Sequence, residues 1–557
     1  MKPGTLHAPP EPALETVSWT VTGTPRGFAP APLHPLLLLW ATRIENFWAY
    51  PLLKCKSAHA ALFLVLAAVC LLRAWIGLSG FQVFTPDAFM PLDGAWRLLN
   101  GQRPHIDFYS FMGVLVYLPT VCGLLLSHGG AQGFAYGQAL VGIAAGAWAW
   151  LLTRRRLPDV PAALFCLAIV LLAVAPYPLG HSPLFTSPAT TYNRYGHVAL
   201  ALILLEGVAA RLRPAKSHDF LGGLSTGLLL VTLFFLKITF FGAALFLIGA
   251  FAFCRPQTRL RWAGIGTGCL TLSIAVCAYF SFHLLPMLRD LVMVAGAKRV
   301  FPRAYELDSI LTDDGLLLSF TALAALLLIV EKRYRSARSV AIAGAALCFA
   351  GTVLIFGSSE PHGAPLAVFL VLIALSRLSF RTSGLTHALR SGVLLWGSVF
   401  TLTALTPSLI GLGYATLLSA QATRHEIPMA GKPLASFIPT GTDANYRAFV
   451  NDGLALVKQH SKPSDTVMSL EFSNPFSYGL GLKPARGGTT TLDYLTTFND
   501  THRPTPEWLI GSARLVMVPK IYSHPSLENI LRLYGPYLNQ HFHAIGESRQ
   551  WRVYRAN

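Results

Sequence analysis

MGVLVYLPTVCGLLLSH, residues 112–128, holds no lysine, arginine or carboxylate and reads as membrane-seeking from end to end. How it is read decides the fold, because one crossing more or fewer inverts every later loop. A hydrocarbon core about 30 Å thick takes about 20 helical residues to cross. This run is shorter and is interrupted by Pro119. Counted as a crossing, it puts the basic clusters Arg154–Arg156 and Arg211–Lys216 outside. Read as a re-entrant or interfacial helix, it puts both inside, with Arg255–Arg261 and Lys332–Arg338. Basic loops stay cytoplasmic, so the second reading is preferred.

Working outward, apolar runs near 58–80, 132–152, 158–177, 194–211, 219–236, 239–254, 263–286, 315–331, 338–356, 364–380 and 389–412 read as crossings. The chain is then an α-helical polytopic membrane protein of about 11 transmembrane helices plus juxtamembrane helices. Its 13% charged residues and mean hydropathy of +0.49 agree, since soluble domains carry about 25% charge. The excess of 44 Lys+Arg over 26 Asp+Glu sits between apolar runs, where it reports topology and not nucleic acid. The eight cysteines lie in or beside apolar segments without metal-ligand spacing and read as small packing residues.

Residues 1–33, rich in Pro, Ala, Gly and Thr, read as a disordered tail, and 34–57 as an interfacial segment. The transmembrane domain spans 58–412, with outer loop 81–131. Residues 413–557 are polar, with strand-like stretches at 465–472 and 515–520 and helix-like ones near 443–460 and 525–540. They are expected to form a small extracytoplasmic α/β domain without a catalytic constellation, serving a structural or acceptor-recognition role. The topology leaves 178–193, the turn at Lys237, 287–314 and 357–363 on the same outer face. It places the N-terminus in the cytoplasm of a multi-pass plasma (inner) membrane protein, with the C-terminal domain periplasmic or extracytoplasmic.

The acid on that face is concentrated in FTPDAFMPLDGAWRLLNGQRPHIDF, residues 84–108. Phe89, Leu92, Trp96 and Leu99 recur at helical spacing, as on a helix lying on the membrane. Two readings of Asp87 stay open: a cap at the helix start, or a carboxylate facing a cavity as general base. Asp93, about 240° around the helix, reads as a solvated face. Basic residues at the same depth suit a phosphate. Lys237, within LFFLKITFFG, either holds such a phosphate or snorkels to the headgroups. Lys298, Arg299 and Arg303 are phosphate ligands or interfacial anchors, and Glu360 and His362 a site pair or a solvated turn. Asn499–Thr501 matches a glycosylation sequon by pattern.

With Asp87 following the first membrane helix, then Ala95–Gly101–Pro104 and the apolar run 112–128, the chain resembles the GT-C superfamily of polyprenyl-phosphate-sugar-dependent glycosyltransferases. The likeness is to protein O-mannosyltransferases and to the aminoarabinose transferases that modify lipid A. The embedded Lys237 and the basic cluster Arg154–Arg156 fit the same pattern. The resemblance implies that Asp87 is the catalytic base and that Lys237 and Arg194 contact the donor phosphate. It makes Asp107, beside His105, a second acid near the acceptor or a metal. The chain departs from the pattern where Ala88 follows Asp87 and where loop 178–193 has no acid, offering His181, Tyr192 and Asn193 instead.

The function expected is transfer of a sugar from a polyprenyl phosphate to a lipid, glycan or protein acceptor hydroxyl. The partners are then the lipid-linked sugar, that acceptor and membrane lipids, with no nucleic acid. No GxGxxG or P-loop offers a nucleotide site, and a divalent metal stays open. The alternatives are a transporter or flippase, which would explain the embedded Arg73 and Glu206, a glycan polymerase or ligase, and a scaffold.

Overall fold

The structure, a computed structural model, describes residues 43, 46–48, 56–208, 216–254, 257–297, 366–378, 387–521 and 524–557. Nine of the expected crossings fall on described helices; those at 315–331 and 338–356 lie outside the described residues. The helices of the membrane part are α1 (Lys56–Ile76), α2 (Phe89–Leu99), α3 (Leu118–Leu126), α4 (Gly133–Thr153), α5 (Asp159–Val174), α6 (Thr191–Val208), α7 (Lys216–Leu236), α8 (Ile238–Cys254), α9 (Arg259–Tyr279), α10 (Leu285–Ala297), α11 (Leu366–Leu378) and α12 (His387–His425). Among the described residues, five helices are long and apolar enough to cross a bilayer, those within α1, α4, α7, α9 and α12. α7 and α9 meet backbone to backbone: a Cβ on Gly223, Gly227, Gly264 or Gly268 would lie within 2.4 Å of a carbonyl oxygen across the contact. Small residues spaced by four allow this approach in membranes.

The deciding stretch forms an apolar helix shorter than a membrane crossing. A 3-10 turn at Val114–Val116 leads into α3, whose nine residues rise about 14 Å, half a hydrocarbon core. Pro119 sits in the first turn of α3, where its missing N–H is not needed. It starts the helix and interrupts nothing. α3 then folds back on α4, with a Cβ on Gly123 only 1.7 Å from Gly133 O.

Two boundaries move. The expected crossing 263–286 ends at Tyr279, because Ser281 and Phe282 take left-handed conformations (φ 52° and 60°), and the chain restarts as α10 inside the expected loop. α12 runs past 412 to His425 with Pro407 inside it, held beyond the apolar run by Leu412 and Ala415 packing on Ile76 of α1.

Beyond α12 the chain returns to the outer loop. β1 (Leu78–Phe81) pairs in parallel with β2 (Phe437–Pro439), Leu78 opposite Phe437. A four-stranded sheet follows in the order β3 (Val467–Ser469), β4 (Leu515–Pro519), β6 (Trp551–Ala556), β5 (Phe542–Glu547). β3 and β4 are parallel and the other pairs antiparallel. α13 (Ala444–His460), α14 (Phe476–Leu480), α15 (Pro506–Ile510) and α16 (Leu527–His541) complete it. The expected strand and helix segments are all found. β5 and β6 were not read from the sequence, because β5 is an edge strand with one buried residue and no apolar alternation. Phe81, Phe89 and Leu92 share one core with Val467, Met517 and Trp551. The sheet therefore does not hang from a linker; it packs on the loop after α1.

That packing changes α2. The helix is not half-solvated: Asp93 and Arg97 are both 0% exposed and joined at 2.8 Å, which overturns the solvated-face reading of Asp93. Arg97 also donates to Gln102 Oε1, Ala485 O and Gly487 O. The expected polar face is the seat of the C-terminal sheet.

Candidate active site

The segment that carries Asp87 is shaped from both ends of the chain. Phe84 is left-handed (φ 55°), and Pro86 favours the short 3-10 turn Thr85–Ala88. The turn's first N–H, that of Thr85, donates to Asp443 Oδ2 at 2.8 Å. The cap thus comes from just before α13. The residues at the two N-caps, Phe84 and Ala88, make no side-chain cap hydrogen bond, and Asp87 stands at neither position, so it is not the helix cap that was one of its two readings.

Asp87 instead lines a cavity of about 340 Å³. Phe111 and Val116, before α3, form one wall, Pro178, His181 and Thr190 of the loop after α5 another, and Thr191, Tyr192 and Tyr195 at the start of α6 a third. The C-terminal domain closes it with Phe472, Asp493, Thr497 and His524. Desolvation raises the Asp87 carboxyl to about 7, with further contributions from the charges of Asp493 and Asp443. Thr191 belongs to a buried polar chain: Arg73 donates to Gln138, which donates to Thr191 Oγ1 at 3.0 Å.

Of the expected site residues, Tyr192 joins Asp87 in this cavity. Lys237, at the break between α7 and α8, stands behind Tyr192, its Nζ 5.2 Å from that ring and donating to Asn193 Oδ1 at 2.9 Å. Gly113 N–H donates to Leu236 O beside it, so the stretch before α3 and Lys237 are tied together. Arg194 is buried, donates to Leu172 O and Tyr177 O and lies over the Tyr177 ring, which positions the loop after α5. Asp107 and His105 do not line this cavity. Asp107 accepts from Arg103 N–H at 2.8 Å and faces Arg103 and Arg486. His105 pairs through Nδ1 with Asp290 Oδ2 at 2.9 Å. Arg299, Arg303, Glu360 and His362, with Lys298, lie outside the described residues. The embedded Glu206 is paired with Arg156 (2.6 Å) and Arg261 (3.3 Å). Among the described residues, no group of three or more His, Cys, Asp or Glu side chains is placed to hold a metal.

Asp493 and His524 were missed. Ser526 Oγ donates to Asp493 Oδ1 at 3.0 Å, and Ser526 N–H to His524 Nδ1 at 3.2 Å. The imidazole stacks on Phe472 at 4.3 Å. Burial lowers the His524 pKa against the opposing pull of Asp493, and an accepting Nδ1 leaves Nε2–H as the donor. A lone acid in the hydroxyl-rich run TTTLDYLTT (489–497) was a legible signal for Asp493; His524 gave none.

No protein-family model and no curated protein matches this chain. Among solved structures, it is similar to ArnT from Cupriavidus metallidurans bound to undecaprenyl phosphate, at 12% identity over 90% of this chain and 98% of that one, TM-score 0.49. It is similar to the same ArnT in the apo state at 13% identity, over 89% and 98%, TM-score 0.47. A third likeness is to the Archaeoglobus fulgidus oligosaccharyltransferase in complex with zinc and sulfate, at 12% identity over 89% and 73%, TM-score 0.33. No residue role is carried over from structures this distant.

Proposed function

We propose that the chain is an integral-membrane glycosyltransferase that moves a sugar from a polyprenyl-phosphate donor to an acceptor hydroxyl at the outer membrane face. The observation that carries this reading is Asp87: a carboxylate that caps no helix, lines a cavity between the membrane helices and the C-terminal domain, and titrates near 7. A general base works best with a pKa near the operating pH.

In this mechanism the acceptor hydroxyl enters between Asp87 and the His524–Asp493 wall. Asp87 takes its proton as the oxygen bonds to the anomeric carbon. The bond from that carbon to the phosphate oxygen breaks on the opposite face, and the lipid phosphate departs with the electron pair. A single displacement of this kind inverts the anomeric centre, by the geometry that governs inverting glycosidases. Lys237, held by Asn193 and Tyr192 at the edge of the bilayer-side wall, meets the developing phosphate charge. Arg194, buried and donating to Leu172 O and Tyr177 O, positions the loop that forms the wall. The N-terminus lies in the cytoplasm and the C-terminal domain outside.

The test is purified protein in liposomes with a panel of radiolabelled undecaprenyl-phosphate sugars, scored by release of undecaprenyl phosphate. Wild type releases it with at least one sugar, and Asp87→Asn does so about 10²–10⁴-fold more slowly. Equal release by a folded Asp87→Asn protein removes Asp87 from the chemistry.

A further inference from the structure

A second cavity, of about 480 Å³, lies between α10 and the C-terminal domain. Tyr109 separates it from the first: it lines the second cavity and donates its hydroxyl at 2.6 Å to the carbonyl of Thr497, which lines the first. The proposed transfer reaction makes no use of this space.

α10 is inside out for a helix facing water. Its exposed side is a stripe of Leu285 (77% exposed), Leu288 (50%) and Val292 (68%), continued by Phe282 (69%), while Met287 and Asp290 point inward. An apolar stripe at i, i+3 and i+7 with an acid turned away from it is what a bilayer covers. The C-terminal domain is pinned to the last turn of the helix by Asn499 Nδ2, which donates to Gly296 O at 2.9 Å. That is the observed use of the sequon asparagine. With that stripe covered by a bilayer, the cavity beside α10 would lie at headgroup depth, a place that suits Trp508, which lines it and is 40% exposed.

The polar lining is Arg289, His105, Tyr109, Thr505 and the Asp290 carboxylate; Tyr109 and Asp290 are engaged within the protein, which leaves Arg289 and His105 to define what would enter. Arg289, exposed on α10, lines the cavity. His105 lines it too, is 4% exposed, and takes a left-handed backbone (φ 70°). Its Nδ1 pairs with Asp290, which also accepts from Ser110 N–H at 3.2 Å. His105 Nε2 is buried with no hydrogen-bond partner among the described residues. A buried polar atom left unpaired is unfavourable, and with Nδ1–H donating to Asp290 the neutral imidazole's Nε2 accepts a hydrogen bond.

We propose that this cavity holds the headgroup of an anionic, hydroxyl-bearing glycerophospholipid, its phosphate at Arg289, its hydroxyl on His105 Nε2 and its acyl chains along the apolar stripe of α10. The bound lipid seats the C-terminal domain on the bilayer. The site is independent of the transferase reading, since lipid retention is measured without donor or acceptor.

The experiment is native mass spectrometry of the detergent-solubilised full chain titrated with phosphatidylglycerol, phosphatidylcholine or phosphatidylethanol, the last anionic but lacking a free headgroup hydroxyl. Wild type retains phosphatidylglycerol about tenfold over phosphatidylcholine, as one charge-assisted contact gives, and more than phosphatidylethanol. Arg289→Glu, a surface change that leaves folding intact, abolishes the preference over phosphatidylcholine. His105→Phe abolishes only the preference over phosphatidylethanol. Equal retention of all three lipids by wild type, or an undiminished preference in Arg289→Glu, overturns the proposal.

Discussion

Asp87 and Asp93 stand six positions apart in one short outer segment, and the fold uses them in opposite ways. Asp93 is fully buried, with Arg97 at 2.8 Å. Burial raises its carboxyl, and Arg97 pulls it back by charge and hydrogen bond. Among the described residues, no cation acts on Asp87 in this way. Its surroundings are a cavity and two further carboxylates, and every cause acting on it raises its pKa. A buried acid that has been given its partner is structure. One that has been denied a partner and faces open space is available for proton transfer.

The comparison breaks most visibly at Arg97. Arg97→Met leaves Asp93 buried without its cation, which costs about 3–5 kcal/mol. The variant is expected to lose most of its thermal stability or fail to accumulate, as followed by fluorescence-detected size exclusion. A normal unfolding curve would make the pair incidental. Lys237→Ala probes the proposed phosphate contact without touching the acid. A lost charge-assisted hydrogen bond of about 1.5–3 kcal/mol weakens donor binding by about tenfold or more; unchanged affinity returns Lys237 to the snorkelling class.

Two smaller effects sharpen the Asp87 side. Asp493 is the largest charge acting on it and Asp443 the next. Asp493→Asn therefore moves the titration of Asp87 toward lower pH, and Asp443→Asn does so less while loosening the turn at Thr85. Difference infrared spectra of the carboxyl band read both. A shift in the opposite direction contradicts the assigned neighbours. The raised pKa also has a sign for stability. The folded state holds this proton longer than the unfolded state, so stability from Asp87 is present below about 4 and lost as pH rises through about 7. Asp87→Asn should accordingly melt higher than wild type at pH 8 and alike at pH 4.

The membrane fold was legible because apolar length and basic loops are local signals. The shortness of the helix after residue 112 was legible in the length of its apolar run, while its Pro119 acts through an N-terminal preference that the residue alone does not announce. What stayed hidden was non-local. Nothing near Leu78 or Phe437 announces a parallel pair across the whole transmembrane domain. Asp93 looked solvated because the helix pattern places it off the apolar stripe; the sheet that covers it arrives from the other end of the chain. Asp87 stood out in the sequence and Asp493 did not, for the same reason: a cavity lined by both the loop after α1 and the C-terminal domain shows in the sequence only the half with the denser motif.

The central claim is that Asp87 titrates near neutrality and must be ionised to act. The direct measurement is the pH profile of sugar release from the undecaprenyl-phosphate donor that the panel selects, in wild type and in Asp493→Asn. A rate that rises with pH through an inflection near 7, moved to lower pH in Asp493→Asn and absent from the residual rate of Asp87→Asn, is the predicted result. A profile flat from pH 5 to 9, or an inflection that persists in Asp87→Asn, would contradict it.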